Sequence, residues 1–141
     1  MSWLHKGSVF KDEHIPTGAV GFIYIMTAII GNQSIAYIGK KNFYASKKKK
    51  LSKKNLPTDK RKKDYVRVSK TSYQDYYSSN EALKQAHRSG AIIKREILKI
   101  CYSKSELTYE EVKHQFLYEV LEKQEYLNGN ILGRFYKGKI R

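Results

Sequence analysis

Two tyrosines that fall on one face of a hairpin are the side chains in this sequence best placed to do chemistry. The stretch from Gly21 to Lys41 reads GFIYIMTAIIGNQSIAYIGKK. Two alternating apolar segments around Gly31-Asn32 predict a hairpin closed by a two-residue turn. Directly opposed residues of an antiparallel pair share a face, so this turn sets Tyr24 opposite Gly39 and Met26 opposite Tyr37. A glycine opposite Tyr24 leaves the phenol room to meet something large, and Ile23, Ile25, Ala36 and Ile38 take the other face, the expected core side. A phenol has an unperturbed pKa of about 10, so work as a proton acceptor near neutral pH needs a neighbouring cation or a metal-bound water. Lys40 and Lys41 adjoin the hairpin for that purpose. Taken singly, each tyrosine reads as readily as an ordinary strand aromatic, in a chain with 12 of them.

The elements that must hold these groups follow from periodicity and punctuation. Strands are expected over Gly21 to Thr27 and Ser34 to Gly39, with a third over Ile92 to Cys101. Ser78-Ser79-Asn80-Glu81 has the spacing of a capping box and Gly90 stands as a stop, which predicts a helix from about Ser79 to Ser89. Thr108-Tyr109-Glu110-Glu111 is a second capping-box pattern, and Val112, Phe116 and Val120 with Leu117 and Leu121 give the following helix an apolar stripe. Residues 1–20 read as an extended or loop-like lead-in anchored at one or two aromatic points, without chemistry of their own. Residues 42–71, Lys-rich and holding Pro57, read as irregular or only partly ordered. Residues 128–141 form a basic, Gly-punctuated end. No internal repeat breaks residues 1–141 into more than one domain.

Composition narrows the function classes. The chain has 141 residues, 40% of them apolar, enough for one domain with a real core. A single cysteine, Cys101, excludes an internal disulfide and a cysteine-cluster zinc site, and four scattered histidines offer no local His pair. The apolar run from Ala19 to Ile30 is too short to span a bilayer and no charged-then-apolar leader opens the chain, so a cytoplasmic protein without membrane contact is expected. The net charge is +15. Lys47, Lys48, Lys49, Lys50, Lys53, Lys54, Lys60, Arg61, Lys62, Lys63, Arg67 and Lys70, against Asp59 and Asp64, carry +10 of it. A basic run beside a tyrosine-bearing hairpin favours a polyanion partner, each neutralised phosphate releasing condensed counterions. A solvated linker would look the same, but the absence of an apolar amphipathic stripe among these lysines disfavours a membrane surface.

The hairpin residues Phe22-Ile23-Tyr24 and Tyr37-Ile38-Gly39, the aromatic-rich segment Tyr73 to Gly90, Lys94-Arg95-Glu96-Ile97-Leu98, Thr108 to Lys113 and Tyr126-Leu127-Asn128 occur in an order that resembles the GIY-YIG endonuclease superfamily. The likeness is nearest to its small phage-type SegE-like homing endonucleases. The resemblance implies an α+β domain, a three-stranded antiparallel sheet flanked by helices, here with a lysine-rich insertion. It also implies metal-dependent hydrolysis of phosphodiester bonds in double-stranded DNA, of mobile-element or genome-competition character, in the host cytoplasm if the chain is phage-encoded. Carried over by motif, Tyr24 is the general base or its relay, Tyr37 orients water or phosphate, Glu111 ligates Mg²⁺ or Mn²⁺, and Asn128 supports the site. Gly39 is structural. Lys40, Lys41, Lys48 to Lys50, Lys53, Lys54, Lys60 to Lys63 and Arg67 are expected on the nucleic acid. With little room for a separate DNA-reading module, a short or relaxed site is expected, with nicking or inefficient double-strand cleavage by a monomer or weak dimer.

Three points stay open on sequence alone. Glu110 competes with Glu111 for the metal role, and Glu111 at the third position of a capping box serves equally as a helix cap. Family members commonly carry an arginine eight residues past the motif glycine, a bidentate phosphate clamp, but that position here is Lys47. Either Lys47 acts as a weaker phosphate ligand, or Arg61, Arg67, Arg88 or Arg95 folds in, or the protein binds DNA and cuts poorly. The rival function is a non-catalytic basic nucleic-acid-binding protein on the same scaffold.

Overall fold

The apolar alternation of the hairpin becomes one side of a mixed sheet. In the computed structural model residues 2–50 and 64–139 are described, with 46–50 and 64–68 described in backbone only. The elements run β1 (Trp3–His5), β2 (Ser8–Phe10), β3 (Gly21–Ile30), β4 (Gln33–Asn42), β5 (Tyr44–Lys50), β6 (Asp64–Lys70), α1 (Glu81–Arg88), β7 (Ile93–Cys101), α2 (Lys104–Leu117), β8 (Asn130–Ile131) and β9 (Phe135–Tyr136). Tyr24 faces Gly39 and Met26 faces Tyr37 across β3 and β4, with Ile30 opposite Gln33 at the turn. This is the register the Gly31-Asn32 turn predicts, with Gly31 at φ 61°.

The sheet has five strands in the order β2-β1-β7-β3-β4, not three. β1 lies parallel to β7 and antiparallel to β2, so the lead-in is part of the sheet. Its two strands turn at Lys6-Gly7, both at positive φ (51° and 83°), and pair Trp3 with Phe10, both buried. Strands of three residues are too short for alternation to be read, which is why the sequence suggests a loop there. The basic region also differs from expectation. Its flanks pair as a β5–β6 ribbon, Tyr44 opposite Lys70 through Lys50 opposite Asp64, because Tyr65, Val66 and Val68 carry β-propensity that the lysine charge obscures. Lys53, Lys54, Lys60, Arg61, Lys62 and Lys63 lie outside the described residues.

Both faces of the hairpin are buried. Phe22, Tyr24, Met26 and Ala28 join Trp3, Phe10, Phe43, Tyr73 and, from α1, Leu83 and Ala86 in one cluster. Ile23 and Ile38 join Cys101 and, from α2, Leu107 in a second, with Val120, Leu121 and Ile131. The tyrosine face is therefore a core face in its own right, as the near-continuous apolar run from Ala19 to Ile30 indicates for a strand covered on both sides.

The helix starts are also displaced. Asn80, not Ser78, caps α1, its side chain accepting from Ala82 N at 2.9 Å and Leu83 N at 3.3 Å. Ser103 caps α2 through Glu106 N at 3.0 Å, so Thr108 to Glu111 sits inside the helix and Glu111 has no capping duty. Nor is the expected stripe continuous, since Phe116 and Leu117 are exposed and Val120 and Leu121 are buried beyond the helix end. Among the described residues no helix is long and apolar enough to cross a membrane.

The outer edge of β4 is closed by the chain's end. Ala36 N donates to Glu125 O at 2.8 Å and Leu127 N to Ala36 O at 2.7 Å. Asn128, buried, then serves Ile38 twice: Oδ1 accepts from Ile38 N at 3.0 Å and Nδ2 donates to Ile38 O at 2.8 Å. Gln115 Nε2 donates to the same carbonyl at 3.1 Å. Asn128→Ala leaves a buried amide without its partner and should cost about 2 kcal/mol in a denaturant titration. A change below about 0.5 kcal/mol would remove this account of the edge.

Candidate active site

The candidate site lies where the tyrosine face of the β3–β4 hairpin meets the loop before α1, while α2 packs on the Ile23/Ile38 face of the same hairpin. Tyr24 lies across Gly39. A Cβ at Gly39 would stand 2.6 Å from the Tyr24 hydroxyl and 2.8 Å from Cζ, so only glycine accommodates the ring. The ring is 1% exposed, edge-on to Trp3 at 5.6 Å and to Tyr76 at 5.8 Å, with Tyr37 at 6.4 Å. Its hydroxyl donates to Ser78 Oγ at 3.3 Å and stands 3.4 Å from the Tyr76 hydroxyl. Burial, and next the neighbouring Tyr76, push the Tyr24 pKa upward. The phenol is therefore held protonated, able to pass a hydrogen bond along a hydroxyl chain but poorly suited to take a proton outright.

The lysines expected to lower that pKa do other work. Lys41 Nζ lies 4.5 Å over the Tyr76 ring, and Lys40 Nζ donates to Thr108 Oγ1 on α2 at 3.1 Å. Tyr37 is half-buried, and its pKa is raised by burial first and then by the charge of Glu111, while a hydrogen bond with Ser79 opposes both. Glu111 is itself half-buried, its pKa raised by burial and pulled back by Lys40. Tyr37 and Glu111, far apart in sequence, thus share one electrostatic environment.

Glu110 turns elsewhere. Its carboxylate is 3.9 Å from Lys99 Nζ and 3.5 Å from His114 Nδ1, and it is buried. Adjacent helical residues point about 100° apart, which is how two neighbouring glutamates separate into one paired with Lys99 and His114 and one under the influence of Lys40.

The loop over Tyr24 is fixed from below by Arg95. That guanidinium, 3% exposed, donates to Gln74 O at 2.8 Å and Tyr76 O at 2.9 Å and lies 4.8 Å from the Trp3 ring and 4.2 Å from Tyr77. Arg95 is committed to positioning Tyr76 and Ser78, so it does not replace the missing clamp arginine. Arg88 is exposed and stands 3.7 Å from Glu81. Arg67 is the direct cross-strand partner of Lys47, which sets both on the β5–β6 ribbon with Lys48, Lys49 and Lys50. Arg61 lies outside the described residues.

Sequence reasoning passed over Trp3, Tyr76 and Ser78. Trp3 Nε1 donates to Tyr73 O at 2.7 Å, tying the first strand to the loop above Tyr24. Ser78 is buried at φ 76°, a conformation uncommon for a residue with a Cβ. The run of rings and hydroxyls from Tyr73 to Ser79 is visible as a pattern, but nothing local says which of them turns inward.

A divalent cation here would have a sparse set of protein ligands. Among the described residues no three His, Cys, Asp or Glu side chains gather into a metal cage. A hard cation such as Mg²⁺ keeps several waters and takes one or two carboxylates plus substrate phosphate oxygens. Glu111 suits that role, because a carboxylate whose ionisation is opposed by burial gains most from a neighbouring positive charge.

Comparison with known protein families gives one result. The model of the family described as "Putative endonuclease segE, GIY-YIG domain" matches residues 3–131, from Trp3 through Ile131. No curated protein and no solved structure matches the chain.

Proposed function

Because the chain belongs to the SegE-type GIY-YIG endonuclease family, we propose that it is a metal-dependent DNA endonuclease whose active site is built on Tyr24, Tyr37 and Glu111. The observation that supports this reading is the hydroxyl cluster of Tyr24, Tyr76 and Ser78 seated over Gly39, with the Tyr37 ring 6.4 Å from Tyr24 and within reach of the Glu111 charge. Phosphodiester hydrolysis needs an activated water, a proton acceptor and charge neutralisation at the phosphate. Glu111 would hold Mg²⁺ or Mn²⁺, which when bound supplies Lewis acidity at the phosphate and a more acidic water. Tyr37 orients water or phosphate through its hydroxyl. Tyr24, protonated and linked to Ser78 and Tyr76, relays a proton rather than removing one. Lys41, held over Tyr76, brings positive charge beside the hydroxyl cluster. Asn128 and Gly39 are positioning residues, since one fixes the strand between Tyr37 and Gly39 and the other makes space for Tyr24.

Double-stranded DNA of phage or mobile-element context is the proposed substrate, and Lys47 stands in for the family's clamp arginine. On this account Lys47→Arg should keep or raise the cleavage rate, while Lys47→Ala should lower it with little loss of affinity. Lys48, Lys49 and Lys50 act as diffuse phosphate contacts. Their combined change to alanine should reduce the slope of log affinity against log salt by about 0.9 per lost contact, on all sequences alike. An unchanged slope would make the run a linker, and a loss confined to one sequence would make it a specific reader.

The reading as a whole is tested by incubating supercoiled plasmid with purified protein in Mg²⁺, Mn²⁺ or EDTA. Nicked or linear product in the metal arms alone is expected. Binding without product in any arm would favour the non-catalytic rival.

A further inference from the structure

The loop that covers Tyr24 has a second side. Between residues 72–79 and α1 lies a cleft of about 390 Å³, and Tyr76 and Ser78, the two residues touching the Tyr24 hydroxyl, form part of its wall. The opposite wall presents Lys84, His87 and Arg88 from α1, with the hydroxyl-bearing Ser72 and Ser79 between. Asp75 also lines it, so two permanent cations face one carboxylate. Both cations are only loosely engaged, Lys84 Nζ at 3.8 Å and the Arg88 guanidinium at 3.7 Å from the carboxylate of exposed Glu81. Exposed pairs of that length contribute little and give way readily to a stronger anion.

One wall of the cleft is also rigid. The Tyr77 ring is stacked on His87 at 3.7 Å with planes 11° apart, and the Arg95 guanidinium lies 4.2 Å from the same ring. Arg95 in turn holds the carbonyls of Gln74 and Tyr76. That wall, held in place before a ligand arrives, loses little freedom on binding. Tyr76 and Ser78 belong both to this cleft and to the Tyr24 hydroxyl cluster, so a ligand held here lies directly beside that cluster.

We infer that this cleft is a flanking-phosphate subsite: it takes a backbone phosphodiester of the DNA strand adjacent to the one cut at the Tyr24–Tyr37–Glu111 site. The inference rests on the nuclease reading for the identity of the strand, and on the cleft's own cations for the binding. Lys84 and Arg88 supply the charge, the Ser72 hydroxyl supplies a hydrogen-bond donor, and Tyr76 is the wall common to both sites. The subsite sets where the strand lies and does no chemistry.

The test is a salt titration of binding to a short duplex, in Ca²⁺ to suppress turnover, for wild type and Lys84→Ala/Arg88→Ala. A charge-matched control, Lys6→Ala/Lys123→Ala, removes the same charge from exposed positions elsewhere. Both altered residues of the test variant are surface side chains, 42% and 62% exposed, so the fold should persist, and equal melting curves confirm it. The expected result is about tenfold weaker binding and a slope reduced by about 1.8, two contacts' worth, for the test variant, with a much smaller change for the control. Cleavage in Mg²⁺ at limiting protein should fall in step with the lost binding. Equal slopes for the test variant and the control would overturn the subsite even if wild type cleaves. A selective slope loss with no cleavage by wild type would keep the subsite and overturn the nuclease reading. Failure of wild type to bind DNA at all would overturn both.

Discussion

Glu111→Ala should abolish cleavage while leaving DNA affinity within about threefold of wild type. Loss of a group aimed at charge that develops in the transition state typically costs about 10² to 10³ in rate. Here the cation's protein ligand goes as well, so the loss should reach the assay floor. Glu110→Ala should behave oppositely, retaining most activity, because its carboxylate is occupied by Lys99 and His114. Stability separates the two further. Burial raises the Glu111 pKa, so its ionisation disfavours the fold: the stabilising balance is present below the ordinary carboxylate range and is lost as pH rises through the elevated value. Glu111→Gln should consequently melt no lower than wild type at neutral pH, a site that gives up stability for function. Retained nicking by Glu111→Ala with a dead Glu110→Ala would show that the carboxylates have been assigned the wrong way round.

Tyr24→Phe should lose about 10²-fold or more in cleavage with only a small change in melting temperature. The substitution keeps the ring that fills the space over Gly39 and packs on Trp3 and Tyr76, and removes only the hydroxyl that joins Ser78 and Tyr76. One hydrogen bond in a partly buried cluster is worth about 1 kcal/mol net. Tyr24→Ala is the contrasting variant, since it opens a cavity in the main core and should cost about 3–5 kcal/mol. Wild-type activity in Tyr24→Phe would remove the hydroxyl from the mechanism and leave Tyr24 as a core residue.

The hairpin register was readable because a two-residue Gly-Asn turn and a period of two fix every pairing from Gly21 to Asn42. The turn alone places Tyr24 over Gly39 with Tyr37 on the same face. β1 and β2 were not readable, since three residues of strand cannot display a period, and their evidence is the distant partner Trp3 finds in Tyr73. The same limit applies to the site. Glu111 was singled out with Glu110 as an open alternative, and only the rotation of α2 against Lys99 and Lys40 separates them. The inward turn of Ser78 at positive φ, the hold of Arg95 on the loop and the twofold grip of Asn128 on Ile38 are all contacts between residues far apart in the chain. Local propensity carries no information about such pairs. The covered tyrosine face could have been foreseen, because twelve residues from Ala19 to Ile30 without a charge describe a strand buried on both sides.

The most direct test is the initial rate of plasmid nicking across a Mg²⁺ titration from zero to saturation, for wild type and Glu111→Ala side by side at protein concentrations giving equal DNA occupancy. The account predicts a rate that climbs with Mg²⁺ for wild type and a flat background for the variant at every concentration. The same magnesium-dependent rise in both proteins, or no rise in wild type, would contradict it.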